Sequence, residues 1–271
     1  MRHSVRRWLF STGAVAAVGV SACVQMGTAS AANVTTAGRQ VTAAPAAYVP
    51  PRQDFSIGAR GAAVKSVQRR LNQLHYYAGK ADGTYGQDTA EAVWAFKEAQ
   101  GLPMNASTNT LVTSKFRRDL IHPRMPKVLV PKGGANRIEI NQNDELLVLY
   151  RNNEVQLILH VSSGGGYHYC SPHGGGCGVA ITPDGNYTAL WFHRGWLQVP
   201  LCYMYNPVFF IGGSYAIHGD VPVPWFPASH GCVRIWMAAA HWFHRVVTIG
   251  GRNATRIYIR GTAPYQPSLA G

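Results

Sequence analysis

The chain has 271 residues, enough for two small domains, and its 25 Lys and Arg against 12 Asp and Glu give a formal charge of +13. Such a charge usually suggests a nucleic acid partner, but the sequence contains no zinc finger, ribonucleoprotein motif or basic recognition helix, so we expect no nucleic acid. If the protein is exported, its positive charge would instead attract anionic polymers of the cell wall.

Residues 1–31 have the pattern of a secretory signal peptide. Arginines precede a short apolar run (Leu9–Val20), and Ala29–Ala31 offers a small-residue cleavage site. Two alternatives stay open: Val20–Cys23 is similar to a lipobox, which would attach lipid to Cys23, and Arg6-Arg7 is similar to a twin-arginine signal. We predict a secreted, extracytoplasmic protein that associates with a membrane only if Cys23 is lipidated.

Residues 32–54 are rich in Ala, Thr and Pro and are predicted to be a linker, because they have few large apolar side chains to bury. Residues 55–118 are predicted to form a small all-α domain of three helices. Apolar residues recur there at helical spacing, and a glycine-bounded turn (Asp82–Gly86) separates the first two helices. A third short helix is expected over Thr108–Phe116.

The helical region resembles the peptidoglycan-binding domain 1 family. The segments that carry this resemblance are Gly58–Val64, Gln68–Leu71, Asp82–Gly86, Thr89–Phe96 and Gly101–Pro103. The resemblance implies a module that holds the protein on its polymer and raises the local concentration of substrate. We expect removal of residues 57–116 to abolish wall binding while leaving the activity of the second domain largely intact.

After a proline-containing connector (residues 119–134), the hydrophobic period changes from helical to two, and we predict a mostly β domain over residues 135–262, a sandwich or barrel. Asn152-Asn153 is a hairpin signal between two apolar runs. The predicted strands are Arg137–Ile140, Glu145–Arg151, Glu154–Ser162, Gly185–Leu190, Val208–Ile211, Ala216–His218 and Arg256–Arg260. One late helix is predicted over Ile235–Val247, ending before Gly250-Gly251.

A cysteine and two histidines lie close together in the predicted β domain. The segment contains Ile217–Gly219, a short spacer, and then Ser229–Arg234 (SHGCVR). A thiol becomes a useful nucleophile when a histidine deprotonates it or a positive field favours the thiolate. Because Cys232 would lie just before the predicted helix, we expect the helix N-terminus to favour a thiolate at this position.

This pattern resembles the active-site signature of L,D-transpeptidases, whose YkuD-like catalytic domain cross-links bacterial peptidoglycan. The resemblance extends over about residues 137–260 and implies a β-sandwich with the reactive cysteine at its edge. It implies that Cys232 is the nucleophile and His218 the general base, with the backbone carbonyl of Gly219 orienting the imidazole. If the orienting group is charged, Asp220 is the carboxylate nearest in sequence and remains the alternative.

The neighbouring residues are predicted to support this pair. His230 would shape the site and help set the charge around the thiol. The N–H groups of Gly231 and Cys232 would form the oxyanion hole. Ser229 and Arg234 are candidate substrate-binding residues, and Arg234 would either hold a substrate carboxylate or brace the loop.

The resemblance also implies a reaction, acyl transfer through a thioester. Cys232 would attack the third residue of a stem tetrapeptide, release terminal D-alanine and pass the acyl group to an amine of a second stem, giving a 3→3 cross-link. No metal or organic cofactor is needed, and carbapenem-type β-lactams should acylate Cys232. An L,D-carboxypeptidase, in which water replaces the amine, and a wall-binding protein without activity are the alternatives.

Signal removal would leave four cysteines, one of them the predicted nucleophile. We predict a Cys170–Cys177 disulfide across a glycine-rich loop, with Cys202 buried and reduced; a bridge from Cys202 to either partner is the alternative. His168, Cys170, His173 and Cys177 are all good zinc ligands, so a zinc site is another possibility for this loop, but their spacing is irregular. An oxidising compartment favours the disulfide over the metal, so we expect no metal.

Overall fold

The computed structural model describes residues 47–171 and 176–263. The predicted signal peptide, Cys23, most of the predicted linker and His173 lie outside the described residues. Within those two ranges, no helix is both long and apolar enough to cross a membrane.

A small helical region precedes a mostly β domain, which confirms the predicted fold class. The helices are α1 (Ala62–Gln73), α2 (Gln87–Gln100), α3 (Ser114–Asp119) and α4 (Met237–Phe243). The strands are β1 (Arg137–Asn141), β2 (Leu146–Arg151), β3 (Glu154–His160), β4 (His168–Cys170), β5 (Cys177–Val179), β6 (Gly185–Thr188), β7 (Trp191–Phe192), β8 (Trp196–Val199), β9 (Cys202–Ile211), β10 (Tyr215–Asp220), β11 (Val233–Trp236) and β12 (Arg256–Arg260).

The strands form two main sheets and a small hairpin. The first sheet has the order β3-β2-β1-β12-β6, and the second has the order β11-β10-β9-β7 with β8 paired to β9. Strands β4 and β5 pair only with each other within the described residues. Apolar side chains from both sheets and from α4 meet in one core, for example Ile140, Phe210 and Phe243, so the β domain is a sandwich.

Strand β2 is apolar throughout because both of its faces are covered. Side chains alternate between the faces of a strand, so Leu147 and Leu149 enter the core between the sheets. Leu146, Val148 and Tyr150 instead join the core of the helical region. The helical region therefore packs directly on the outer face of the first sheet.

The predicted helix over Ile235–Val247 is partly wrong. Its first residues belong to β11, which pairs in parallel with β10 by aligning Ile217 with Val233 and Gly219 with Ile235. Val233 and Ile235 are buried in the sandwich core, and this tertiary pairing overrides the local helical pattern. Helix α4 begins only at Met237, so Cys232 does not lie at a helix N-terminus.

The third helix of the helical region lies later than predicted. It spans Ser114–Asp119 rather than Thr108–Phe116, because Thr113 caps it by accepting a hydrogen bond from the Phe116 N–H at 3.2 Å. Strands β4, β5, β7, β8 and β11 are short and were not predicted. The hairpin at Asn152-Asn153 is confirmed, and both residues have positive φ angles, 52° and 63°.

The cysteine prediction is confirmed in its main part. Cys170 and Cys177 form a disulfide that closes the β4–β5 hairpin, so both sulfurs are unavailable to the alternative zinc site. Cys202 is free, as predicted. It is half-buried rather than buried, because it lies at the start of β9 beside a cavity.

Three glutamates are buried where the helical region meets the first sheet. Burial raises the pKa of Glu91 to about 7 and the pKa of Glu145 to about 8. Burial also raises the pKa of Glu98 well above its usual range. At neutral pH we therefore expect Glu145 to be largely protonated.

This cluster predicts that the protein loses stability as the pH rises. Between about 6.5 and about 8, the folded protein keeps glutamate protons that the unfolded chain has released. Below about 6.5 the lowered pKa of His218 acts in the opposite direction, because the unfolded chain then binds protons that the folded protein does not. The free energy of unfolding should therefore decrease between pH 6.5 and 8, and calorimetric unfolding over this range measures the slope. Glu145→Gln should flatten the slope and exposed Glu154→Gln should not; a stability that increases over the window would contradict the prediction.

Candidate active site

The residues predicted to act together do line one cavity. It has a volume of about 400 Å³ and is bordered by His218, Ser229, His230, Gly231, Cys232 and Arg234. Cys202 and Met204 from β9 line it as well. The motif is therefore assembled into a concave site, the usual form of an active site.

Parallel pairing of β10 and β11 brings the histidine and cysteine segments together. His218 is the register partner of Arg234, and Cys232 immediately precedes β11. Gly219 permits close approach of α4 to this pairing, because a Cβ atom there would lie 2.6 Å from the Ala240 Cβ.

The His218 side chain is held as a neutral base. It is only 1% exposed, and its Nδ1 donates a hydrogen bond to the Gly219 carbonyl oxygen at 2.9 Å. That bond fixes the tautomer and leaves the lone pair on Nε2, for which no partner exists among the described residues. Burial lowers the pKa of His218 to about 4, so the imidazole is neutral across the physiological range.

The Cys232 thiol is protonated in the resting protein, contrary to the sequence-based expectation of a favoured thiolate. Its Sγ lies 3.8 Å from the Ser214 carbonyl oxygen and 4.0 Å from the Met204 Sδ. Burial raises the pKa of Cys232 to about 12, only partly opposed by a hydrogen bond from the Ala216 backbone. The expectation failed because β11, rather than a helix, follows the cysteine.

Asp220 does not orient His218. Its Oδ2 lies 2.9 Å from Arg234 Nε, and its Oδ1 accepts a hydrogen bond from the Val221 N–H at 2.7 Å. The Arg234 N–H does not point along the line to Asp220, so the contact is an ion pair rather than a hydrogen bond. Gly219, not the alternative Asp220, is the group that contacts the imidazole.

His230 is held edge-on between two tyrosines of the β4 region. Its ring centroid lies 5.6 Å from that of Tyr167 and 4.8 Å from that of Tyr169. Burial, and then the charge of Arg234, lower the pKa of His230. His230 therefore forms an uncharged part of the cavity wall.

Ser229 and Gly231 bond to their own loop. The Ser229 Oγ accepts the Gly231 N–H at 2.9 Å and donates to the Cys232 carbonyl oxygen at 2.5 Å. Thr182 Oγ1 donates to the Gly231 carbonyl oxygen at 2.7 Å. Since the Gly231 N–H is already engaged, the Cys232 N–H remains as the predicted oxyanion donor, and Ser229 shapes the loop.

We expect Gly231→Ala to distort the nucleophile loop. Gly231 has a φ of 142°, and an added Cβ would lie 2.6 Å from Tyr215 Cε1 and 2.7 Å from the Ile181 carbonyl oxygen. The strain and overlap should cost about 2 kcal/mol or more of unfolding free energy. Denaturant unfolding measures this loss.

Gly213→Ala is the matched control. Gly213 lines the same cavity, yet an added Cβ there would have no neighbour within 4 Å. Similar losses for the two substitutions would show that the backbone conformation at Gly231 is not the cause.

Comparisons with known proteins match both regions of the chain to known families. Residues 60–111 match a peptidoglycan binding domain, and residues 135–259 match the L,D-transpeptidase catalytic domain. A crystal structure of the L,D-transpeptidase (residues 123–326) from Xylanimonas cellulosilytica is 32% identical, covers 78% of this chain and 100% of its own, and superposes with a TM-score of 0.68. This chain belongs to the L,D-transpeptidase family. The resemblance predicted from the motifs is therefore confirmed for both regions.

Two other solved structures that match this chain are also L,D-transpeptidases. The protein from Stackebrandtia nassauensis is 15% identical over 80% of this chain and 100% of its own, with a TM-score of 0.44. The protein from Mycobacterium smegmatis is 17% identical over 47% of this chain and 59% of its own, with a TM-score of 0.37. Among curated proteins, none matches this chain.

Sequence reasoning missed several residues that border the candidate active site. Tyr169, Met204, Ser214 and Tyr215 all line the cavity, although none belongs to the Cys232 motif. Tyr169 is adjacent to Cys170, and its position beside a disulfide-closed hairpin is the one signal that the sequence carried.

Proposed function

We propose that this protein is a peptidoglycan L,D-transpeptidase that forms 3→3 cross-links through a thioester on Cys232. The observation that carries the proposal is the shared cavity of Cys232 and His218. The His218 Nε2 lone pair is buried there and has no hydrogen-bond donor among the residues that the structure describes. Family membership and the attached peptidoglycan binding domain support the substrate class.

Acylation begins from a neutral thiol and a neutral imidazole. As Cys232 Sγ bonds to the carbonyl carbon of residue three, its proton passes to His218 Nε2. The Cys232 N–H stabilises the oxyanion of the tetrahedral intermediate. Collapse breaks the C–N bond, and His218 returns the proton to the departing amine of terminal D-alanine, leaving a thioester.

Deacylation repeats the acylation steps in reverse order. The side-chain amine of residue three on a second stem attacks the thioester carbon and gives a proton to His218. The C–S bond then breaks, a C–N bond has formed between two stems, and the proton returns to Cys232. The net reaction exchanges one amide for another and needs no redox agent or added cofactor.

The other residues have supporting roles in this proposal. The Gly219 carbonyl fixes the His218 tautomer, and His230 forms a neutral wall. Arg234 is partly neutralised by Asp220, so bracing the loop is its first role and holding a substrate carboxylate its second.

The proposed site of action is the cell wall. The catalytic and peptidoglycan binding domains both imply action there. We propose that the protein is secreted and that it contacts a membrane only if Cys23 is lipidated. We also propose that it binds no nucleic acid and that carbapenem-type β-lactams acylate Cys232.

Intact-mass analysis of the mature protein, with a tetrapeptide muropeptide or a carbapenem, tests the proposal. We expect a covalent adduct on Cys232 and a muropeptide dimer joined 3→3. Tripeptide products without dimers would instead indicate an L,D-carboxypeptidase. No adduct with either reagent would indicate a wall-binding protein without activity.

A further inference from the structure

Helix α2 of the peptidoglycan binding domain contacts the catalytic domain near both of its ends. Near its start, Asp88 Oδ1 accepts a hydrogen bond from Trp236 Nε1 at 2.6 Å. Near its end, Glu98 Oε1 lies 2.7 Å from His160 Nδ1. The two acidic residues are ten positions apart, about 15 Å along a helix axis.

The contact between Asp88 and Trp236 joins α2 to β11, the strand that follows the nucleophile. Trp236 is the last residue of β11, and β11 begins directly after Cys232. The same strand aligns Arg234 with His218. A bond that fixes Trp236 therefore fixes one end of the strand that sets Cys232 against the base.

The second contact leads to the segment before the nucleophile. His160 Nε2 donates a hydrogen bond to the Pro224 carbonyl oxygen at 2.9 Å, within the loop that joins β10 to Ser229. The His160 side chain is fully buried and that of Glu98 is 6% exposed. Trp94, also on α2, packs edge-on against His160 at 5.3 Å.

Ser162, two residues after His160, also forms hydrogen bonds to the loop before the nucleophile. Its Oγ donates to the Phe226 carbonyl oxygen at 2.8 Å and accepts the Ala228 N–H at 3.0 Å. Its backbone exchanges two hydrogen bonds with Arg234, each at 3.0 Å. The segment after β3 is thus bonded to the chain on both sides of Cys232.

Both ring nitrogens of His160 have a hydrogen-bond partner. Because the Pro224 carbonyl oxygen can only accept, His160 Nε2 donates that bond, and Glu98 Oε1 lies 2.7 Å from Nδ1, the other ring nitrogen. Without Glu98, the buried Nδ1 would have no partner from α2, and the ring orientation that serves Pro224 would lose its support.

We infer that helix α2 of the peptidoglycan binding domain positions the nucleophile loop of the catalytic domain, with His160 and Trp236 as the positioning residues that transmit its contacts. This inference rests on the proposed function, because its effect is on the reactivity of Cys232. It replaces the expectation that removal of residues 57–116 would leave activity intact. That deletion would remove both contacts and also expose Leu146, Val148 and Tyr150.

Point substitutions in the mature full-length protein test the inference, with meropenem acylation as the readout. Glu98→Ala and Trp236→Phe should each lower the maximal rate constant of acylation about three- to ten-fold. The half-saturating meropenem concentration and sacculus binding should stay within about two-fold, since a positioning defect affects attack rather than binding. Glu98→Gln, which can still hydrogen-bond Nδ1, should restore most of the rate.

Val67→Ala is the matched control for stability, because Val67 is fully buried in the same helical domain and belongs to neither contact. It should lower the unfolding temperature while the acylation rate stays near that of the wild type. The inference is overturned if Glu98→Ala and Trp236→Phe react like the wild type, or if the Val67→Ala rate falls in step with stability. A wild-type protein that meropenem does not acylate would overturn the proposed function as well.

Discussion

Replacing Cys232 by alanine is expected to lower acyl transfer by at least about a thousand-fold, because the thioester of the proposed mechanism forms on its sulfur. Stem-peptide dimers, separated by chromatography after incubation with a tetrapeptide donor, measure the loss. Intact mass should show that the carbapenem adduct disappears. Sacculus binding should be retained, since the peptidoglycan binding domain is untouched.

Cys202→Ser provides a demanding control. The described residues contain two free cysteines, and both line the same cavity. Cys202 lies at the start of β9, where it pairs with Val199 of β8, and β9 is separated from β11 by β10. Its substitution should lower the rate by less than about ten-fold. A carbapenem adduct that persists in the Cys232→Ala protein would contradict the assignment of the nucleophile.

The sequence was sufficient for the fold class and for a candidate pair, Cys232 and His218, because the signals for both are local. The apolar runs on either side of Asn152-Asn153 predicted β2 and β3 to within two residues. The Ser229–Arg234 motif could be recognised because its residues are adjacent in the chain. The disulfide was predictable for a similar reason, since few cysteines were available to pair.

The start of the late helix and the state of the thiol could not be predicted, because both depend on residues far apart in sequence. Val233 and Ile235 form a strand only because β10 lies alongside them. The raised pKa of Cys232 follows from the same burial. The aromatic wall at Tyr169 is likewise formed by a hairpin that is remote from the motif.

The pH dependence of acylation is expected to differ from that of an ordinary cysteine–histidine pair. The base form of His218 is required, and burial lowers the pKa of His218 to about 4. The rate constant should therefore be nearly independent of pH from about 5 to 9 and decrease only below about 5, as the imidazole becomes protonated. No increase is expected near 9, the usual thiol pKa, because the pKa of Cys232 is raised to about 12.

Stopped-flow acylation by a carbapenem between pH 4 and 10 measures this profile. His218→Gln should lower the rate constant by about a hundred-fold or more at every pH and abolish the acidic decrease, since no base remains to accept the thiol proton. His241→Gln, which alters an exposed histidine on α4, should preserve the wild-type profile. An inflection between pH 6 and 7 would mean that the imidazole is solvated during the reaction, and it would contradict the neutral resting pair on which the proposed acylation step depends.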